Sequence, residues 1–307
     1  MDYFISWNMD RLEAMSLLVA VAEVGSLSAA GRKLGMPLPT VSRKISELEA
    51  HLNARLLTRS TRRLALTEQG AAYVAAARRI LDEVGEAERA ASREHAAPRG
   101  DLVITAPVVF GRLHVLPVIA EFLTQWPEIN VRLVLADRNL HLIDDHIDVA
   151  VRIGALPDSA LAATKVGAVR RVVCGSPAYF AAHGAPKRPE DLAALTAVTF
   201  DQLSSSEHWV FPDPKSKREL RVAVRSRLIV NTAEAAIDGA AAGLGVTRVL
   251  SYQVAQAILD GRMKIVLAEH EPAPAPVSLV HAGRDLTPLR VRMLLDFAAP
   301  RLRARLA

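Results

Sequence analysis

The first ninety-five residues repeat apolar positions at helical spacing, and the repeat breaks at short intervals. Met15, Leu18, Val19 and Ala22 stand at i, i+3, i+4 and i+7, which predicts a helix over about 10–24 that Gly25 ends. Ser26 is placed to cap a second helix, SLSAAGRKL, with Ala29, Ala30 and Leu34 as its buried stripe. Gly35-Met36-Pro37 makes a turn. In a third helix, from about Pro39 to His51, Val41, Ile45, Leu48 and Leu52 face inward. Thr40, Ser42, Arg43, Ser46 and Glu47 are left mainly outside. LLTRSTRRLALT then alternates as strand, basic turn and strand, with Arg59, Arg62 and Arg63 at or near the tip. From Thr67, which can cap a long helix, the positions Val74, Ala77, Leu81, Val84, Glu88 and Ala91 step by three and four. That spacing predicts packing on another helix, whether of a second copy or of the chain's own body.

Pro98 and Gly100 in EHAAPRGD, residues 94–101, break the helical pattern and mark a boundary. Strand and helix patterns alternate after it. Strands are expected over 102–107, 131–136, 148–154, 169–176, 197–200, 220–224, 227–231, 245–250, 263–268 and 277–282. Helices are expected over about 112–126, 177–183, 232–242 and 251–259, with Thr287-Pro288 opening a last one. Alternation of this kind predicts α/β units with largely parallel sheets. The order divides into two lobes, roughly 102–165 with a return at 270–300, and 168–266. Open α/β sheets bind ligands beyond the carboxyl ends of their strands. This rule nominates Pro107, Val108 and Phe110 after the first strand, Asp137 and Arg138 after the second, and Arg152 at the end of the third. In the second lobe it nominates Phe200 and Asp201, together with Thr247 and Arg248. Asn231 and Thr232 pass from strand to helix, where free N–H groups favour an anion. Pairing of these arginines with Asp137, Asp148 or Asp201 is the alternative.

Charge sharpens the first part of this picture. Between Gly31 and Leu66 eight Lys/Arg face two acids, Glu47 and Glu49, a net of +6, whereas the whole chain of 307 residues carries +5. The positive excess is local. A basic face on short helices points to a polyanion, most simply DNA. The exposed hydroxyls and arginine of the third helix suit the major groove, and the arginine hairpin suits phosphate or the minor groove. An amphipathic helix with a solvated face is the competing reading.

The length predicts two domains, one of which can be split further. No apolar run approaches the roughly 20 residues of a membrane span, and MDYFISWNMD lacks a secretory pattern. Residues 1–8 read as a tail. The single cysteine, Cys174, excludes an internal disulfide. A soluble cytoplasmic protein is expected, with no membrane partner.

The stretches AEVGSLSAAGRKLG, VSRKISELEAHL and LLTRSTRRLALTEQG resemble the winged helix–turn–helix of LysR-type transcriptional regulators. The resemblance covers residues 10–95, and the remaining length and layout agree. It implies an α+β multidomain chain with a winged helix–turn–helix over 9–66 and a linker and dimerisation helix over 67–95. The third part, residues 100–307, is then a two-lobed α/β effector domain resembling periplasmic solute-binding proteins. It implies a regulator, not an enzyme, that binds double-stranded operator DNA as a homodimer or homotetramer. Self-association would use the linker helix and the effector domains. A small-molecule effector would bind between the lobes, and RNA polymerase is a candidate partner. Carried over by position, Leu38, Pro39, Ser42 and Arg43 face the groove, with Arg59, Arg62 and Arg63 in or beside the wing. Pro37 replaces the usual serine cap, Leu38 the usual glutamine, and Asn53 the usual glycine. Losing the glutamine amide leaves the half-site sequence open. Asn tolerates positive φ, so the turn at Asn53 is retained.

Five further signals are weaker. His141, Asp144, Asp145, His146 and Asp148 cluster without metal-site spacing and read as an acidic helix end, so neither metal nor cofactor is expected. Cys174 lies in an apolar strand and reads as an inert buried thiol. Residues 242–246, AGLGV, lack phosphate-loop spacing. Ser204–Ser206 with His208 lack a nucleophile elbow, and PDPKSKRE, 212–219, reads as an exposed charged hairpin. A ligand-binding protein or enzyme built on the C-terminal body is the rival reading.

Overall fold

The structure is a computed structural model that describes residues 10–59, 64–91, 98–138, 140–142, 145–156, 161–200, 208–212, 219–283 and 287–306. The chain divides into two compact units, Met1–Ala96 and Ala97–Ala307.

In the first unit, α1 (Arg11–Val24) is capped by Asp10, whose carboxylate accepts from the Glu13 N–H at 3.1 Å. Helix α2 (Leu27–Leu34) is capped by Ser26, which accepts from the Ala29 N–H. Helix α3 (Leu38–Leu52) starts at Pro37 with no side-chain cap and ends at Asn53, φ 48°. Leu17, Leu18, Val21, Ala30, Val41, Ile45 and Leu48 form one core with Leu56, Leu57 and Val74. Two expectations are corrected here. Helix α1 buries Ala14, Leu17, Leu18, Ala20 and Val21 rather than the Met15-Val19-Ala22 face, because other helices pack on more than one of its sides. Leu34 is exposed, and Gly31 takes its place: a Cβ there would stand 2.6 Å from the Met36 carbonyl oxygen.

Strands β1 (Leu57–Arg59) and β2 (Leu64–Leu66) pair antiparallel as the wing. Thr67 then caps α4 (Glu68–Ala91), its Oγ1 accepting from the Gly70 N–H at 2.9 Å. Val74 and Ala77 are buried within the unit, Leu81 and Val84 are half-buried, and Glu88 is exposed. The apolar seam thus starts as part of this unit's own packing, and its later positions, Leu81 and Val84, are covered only in part.

The second unit opens with β3 (Gly100–Ala106), a short α5 (Val108–Phe110), a π turn at Gly111–Val115 and α6 (Leu116–Gln125). Then follow β4 (Ile129–Leu135), β5 (Val149–Ile153) and β6 (Ala162–Val169). Lobe II holds β7 (Arg171–Gly175), α7 (Pro177–His183), β8 (Thr196–Phe200), β9 (His208–Pro212), β10 (Glu219–Ala223) and β11 (Arg225–Val230). It continues with α8 (Ala233–Ala241), β12 (Thr247–Leu250), α9 (Ser251–Leu259) and β13 (Lys264–Val266). The chain returns to lobe I through β14 (Ala275–His281) and α10 (Leu289–Leu306).

The lobe I sheet has the order β4-β3-β5-β14-β6. Here β3 runs parallel to β4 and β5, while β14 runs antiparallel to β5 and β6. In lobe II, β8 and β11 are parallel, whereas β7 is antiparallel to both β12 and β13. The expectation of largely parallel sheets is therefore corrected to mixed ones. Strands entered by the crossing and by the return of the chain run against their neighbours. Two strands, β6 and β9, lie outside the expected set.

Phe110, Val118, Phe122, Leu294, Phe297 and Leu302 fill the core of lobe I. Helical residues Val108–Gln125 are, by length and composition alone, apolar enough to cross a membrane, against the expectation from the sequence. Burial of Phe110, Val118, Ile119 and Phe122 in that core accounts for the hydropathy.

Candidate nucleic-acid interface and ligand cleft

Helix α3 presents its N-terminal half outward. Leu38, Pro39, Arg43 and Ser46 are exposed, and Thr40 and Ser42 are half-buried. Its buried stripe of Val41, Ile45 and Leu48 fixes that orientation. Arg43 is 64% exposed, and its Nη1 lies 2.6 Å from Glu47 Oε1 one turn on. This i,i+4 pair holds the guanidinium on the outer face at little gain in stability. Not every basic residue of the cluster is free for a polyanion. Lys33 pairs with Glu23 at 2.9 Å, and Lys44 is turned inward onto Glu13 of α1. Arg32 and Arg55 are exposed. The side chain of Arg59, and Arg62 and Arg63, lie outside the described residues.

In the second unit, the carboxyl ends of β3 and β4 come together as the sequence predicts. The Val108 N–H donates to Asp137 Oδ1 at 3.0 Å, beside Pro107, the N-cap of α5. Arg138 is exposed. Arg152 is half-buried and donates from Nη2 to the Leu140 carbonyl; burial lowers its pKa. Across the lobes, Asn231 is exposed and Thr232 caps α8, accepting from the Ala235 N–H at 3.3 Å.

Four other nominations change. Phe110 and Phe200 are fully buried in the cores of their lobes. Strand β12 ends at Leu250, and the parallel Ala197–Val246 bridge sets its start beside the start of β8, so Leu250 lies toward the carboxyl end of β8. Thr247 and Arg248 stand at the opposite end. Thr247 is fully buried. Arg248 turns into the second core, donating to the Val210 carbonyl at 2.7 Å with its guanidinium 4.6 Å from the Phe211 ring centroid. Burial, with Arg171 nearby, pulls its pKa down to about 10. Asp201 lies outside the described residues.

Side chains that sequence reasoning missed make the contact between the lobes. Arg112, in the π turn, lies 3.3 Å from Glu234 in the first turn of α8. Tyr252 of α9 stands edge-on to Phe110 at 5.3 Å and to His114 at 5.7 Å. Its hydroxyl and His114 Nε2 are buried without a hydrogen-bond partner among the described residues. Burial, then Asp137, raises the Tyr252 pKa; burial, then Arg305, lowers that of His114. Applying the carboxyl-end rule at Leu250 instead of Thr247 reaches Tyr252, two residues on. No local pattern marks Arg112 or Glu234.

The weaker signals resolve into structure. The described residues 140–142 and 145–148 are turn and bend rather than a helix end: Asp145 Oδ2 accepts from the His141 N–H at 2.8 Å and Asp148 Oδ2 from the Val103 N–H at 2.7 Å. Asp144 and Ser204–Ser206 lie outside the described residues. Among the described residues no group of three His, Cys, Asp or Glu is placed to hold a metal ion. Cys174 is fully buried, and burial pushes its thiol up to about 12. The native protein is therefore expected to resist an aromatic disulfide reagent near neutral pH and to react on denaturation. Prompt labelling of the native protein would contradict this burial.

A winged helix–turn–helix joined to a two-lobed α/β unit defines a DNA-binding regulator with an effector-binding domain. Residues 12–71 match the bacterial regulatory helix-turn-helix protein model of the lysR family, and residues 95–303 match the LysR substrate binding domain model. The chain belongs to the LysR family of transcriptional regulators, a family of regulators and not of enzymes. It is 37% identical over 291 residues to an HTH-type transcriptional regulator of Xanthomonas campestris pv. campestris, covering 93% of this chain and 84% of that one. It is 31% identical over 289 residues to the HTH-type transcriptional activator AaeR of Escherichia coli, covering 94% and 93%. Among solved structures, CrgA, a LysR-type transcriptional regulator from Neisseria meningitidis, is similar at 31% identity and a TM-score of 0.59, covering 94% of this chain and 98% of that one. The full-length Vibrio cholerae virulence activator AphB is similar at 26% identity and a TM-score of 0.58, with the same coverage.

Proposed function

We propose that this regulator binds operator DNA through the outer half of α3 and the wing, and that a small molecule bound between the lobes alters that binding. The observation that carries the DNA reading is the exposed start of α3, with Arg43 held on its outer face by Glu47. Leu38, Pro39, Thr40, Ser42 and Ser46 share that half of the helix, and Arg59, Arg62 and Arg63 supply the wing. The winged helix–turn–helix occupies 9–66 and the linker helix 67–95. The half-buried Leu81 and Val84 continue a seam that pairs with a second copy, placing two heads on a two-fold operator. Self-association also involves the effector domains, and the complex acts in the cytoplasm, where RNA polymerase is a candidate partner.

The effector domain, 100–307, has its ligand cleft between lobe I, about 102–165 with 270–300, and lobe II, about 168–266. Pro107, Val108, Asp137, Arg138 and Arg152 line one side. Asn231, Thr232, Glu234 and Tyr252 line the other. A ligand that favours one lobe arrangement shifts the regulator toward the state whose heads fit the operator.

Arg43→Ala is expected to weaken binding to a duplex from upstream of the gene by about 1–3 kcal/mol, the worth of a bidentate base contact. A gel-shift titration against operator and scrambled duplexes measures it. Equal loss on both would remove Arg43 from base reading, and no binding by the unsubstituted protein at low salt would overturn the DNA reading itself. Thermal-shift screening of metabolites against the full chain tests the cleft.

A further inference from the structure

Glu49 stands in the last turn of α3, where the helix dipole disfavours a carboxylate. Helix stability therefore does not explain it. Its Oε1 accepts the N–H of Leu56 at 2.8 Å and the N–H of Leu57 at 3.0 Å. Consecutive N–H groups of a regular strand point to opposite sides. Their convergence on one oxygen means that the chain bends there, immediately before the wing, around a carboxylate. The side chains of Leu56 and Leu57 are buried in the core, so the bend is fixed from below as well.

The same stretch, with Arg55 before it, is held from the other direction by the start of α4. Thr67 donates its backbone N–H to the Leu56 carbonyl at 3.0 Å and its Oγ1 to the Arg55 carbonyl at 2.6 Å. Gly70 packs so closely that a Cβ would fall 2.0 Å from the Leu56 oxygen. Arg55–Leu57 is thus a junction at which the groove-reading helix, the wing and the linker helix meet.

We infer that Glu49 is a positioning residue for DNA binding: its carboxylate oxygen sets the direction in which the wing leaves α3. The inference rests on the reading of this unit as the DNA-binding module. Losing the acceptor leaves two inward N–H groups unsatisfied and frees the wing to swing, so its phosphate contacts are lost while α3 still reads bases.

Three substitutions in the full chain separate this role from a charge effect. Removing a negative charge from a DNA-binding face, taken alone, strengthens binding. Positioning gives the opposite sign for Glu49→Ala: operator affinity falls by about tenfold and the salt slope shrinks by about one to two phosphate contacts. The ratio of specific to non-specific affinity stays near that of the unsubstituted chain. Glu49→Asp keeps the charge but withdraws the oxygen by one methylene, and it is expected to behave like Glu49→Ala. Glu49→Gln keeps an oxygen of the same reach, and it is expected to bind within about threefold of the unsubstituted chain.

Circular dichroism establishes that each variant is folded, and Glu49→Asp against Glu49→Gln carries the comparison should Glu49→Ala unfold. Tighter binding by Glu49→Ala, or an unchanged salt slope in Glu49→Asp, overturns the inference. Failure of the unsubstituted chain to bind the operator would overturn the DNA reading instead.

Discussion

Gly70→Ala is expected to destabilise the N-terminal unit by about 3 kcal/mol, the upper part of the range for forced overpacking. The added methyl would stand 2.0 Å from the Leu56 carbonyl oxygen and 2.8 Å from its carbon. Both are backbone atoms, and that oxygen already accepts from Thr67. No rotamer relieves the clash; only a displacement of α4 from the base of the wing does. For a unit of this size the corresponding fall in Tm is about 12–24 °C. A melt of the full chain should show the N-terminal transition lowered, the effector transition in place and operator binding reduced. An unchanged N-terminal transition would show that α4 has room to move, and the close packing at Arg55–Leu57 would lose its meaning.

Phe110→Ala is expected to cost about 3–5 kcal/mol in the other unit. The ring is fully buried, with His114 at 4.8 Å and Tyr252 at 5.3 Å. It belongs to the lobe I core and also carries the aromatic contact to lobe II. Truncation leaves a cavity beneath both. Chemical denaturation followed by tryptophan fluorescence, to which Trp126 of the same core and the buried Trp209 of lobe II contribute, reads the loss. Coincidence with the unsubstituted curve would mean that the lobe closes over the gap. The N-terminal transition should stay where it is, since the substitution lies in the second unit and remote sites add independently.

Residues that carry their own local instruction were the legible ones. Ser26, Thr67 and Thr232 cap the helices they precede, and Asn53 takes the positive φ that its side chain tolerates. Helices α7 and α9 occupy the expected spans, because Pro177 and the 251–259 periodicity mark them plainly. The strand AATKVGAV, β6, escaped notice: alanine, glycine and lysine give it little strand character, and pairing with β14, more than a hundred residues later, creates it. Helix α1 misled differently. Its middle, Ala14–Ala22, is almost entirely apolar, so it offers periodicity on several faces, and only its neighbours choose among them. The exposed half of α3 was readable because one buried stripe, Val41, Ile45 and Leu48, defines its opposite. The burial of Arg248 against Val210 and Phe211 is not legible locally, because strand polarity, not composition, decides which end of β12 approaches the other lobe. Arg112 and Glu234 meet 122 residues apart, and nothing near either residue announces the partner.

Two prolines stand at the start of α3, Pro37 as its N-cap and Pro39 within the first turn. Each has φ fixed by its ring, and Pro39 brings no N–H to be satisfied. The Pro37 carbonyl accepts from Thr40 at 3.0 Å and from Val41 at 3.1 Å. On the proposed DNA reading, the end of the helix offered to the bases is therefore already ordered before docking, and little backbone entropy remains for DNA to remove. Stiffness of this kind has a second side. A reading head that cannot flex passes every distortion of the site back to the DNA, so selectivity is set partly by how readily a sequence deforms to meet it.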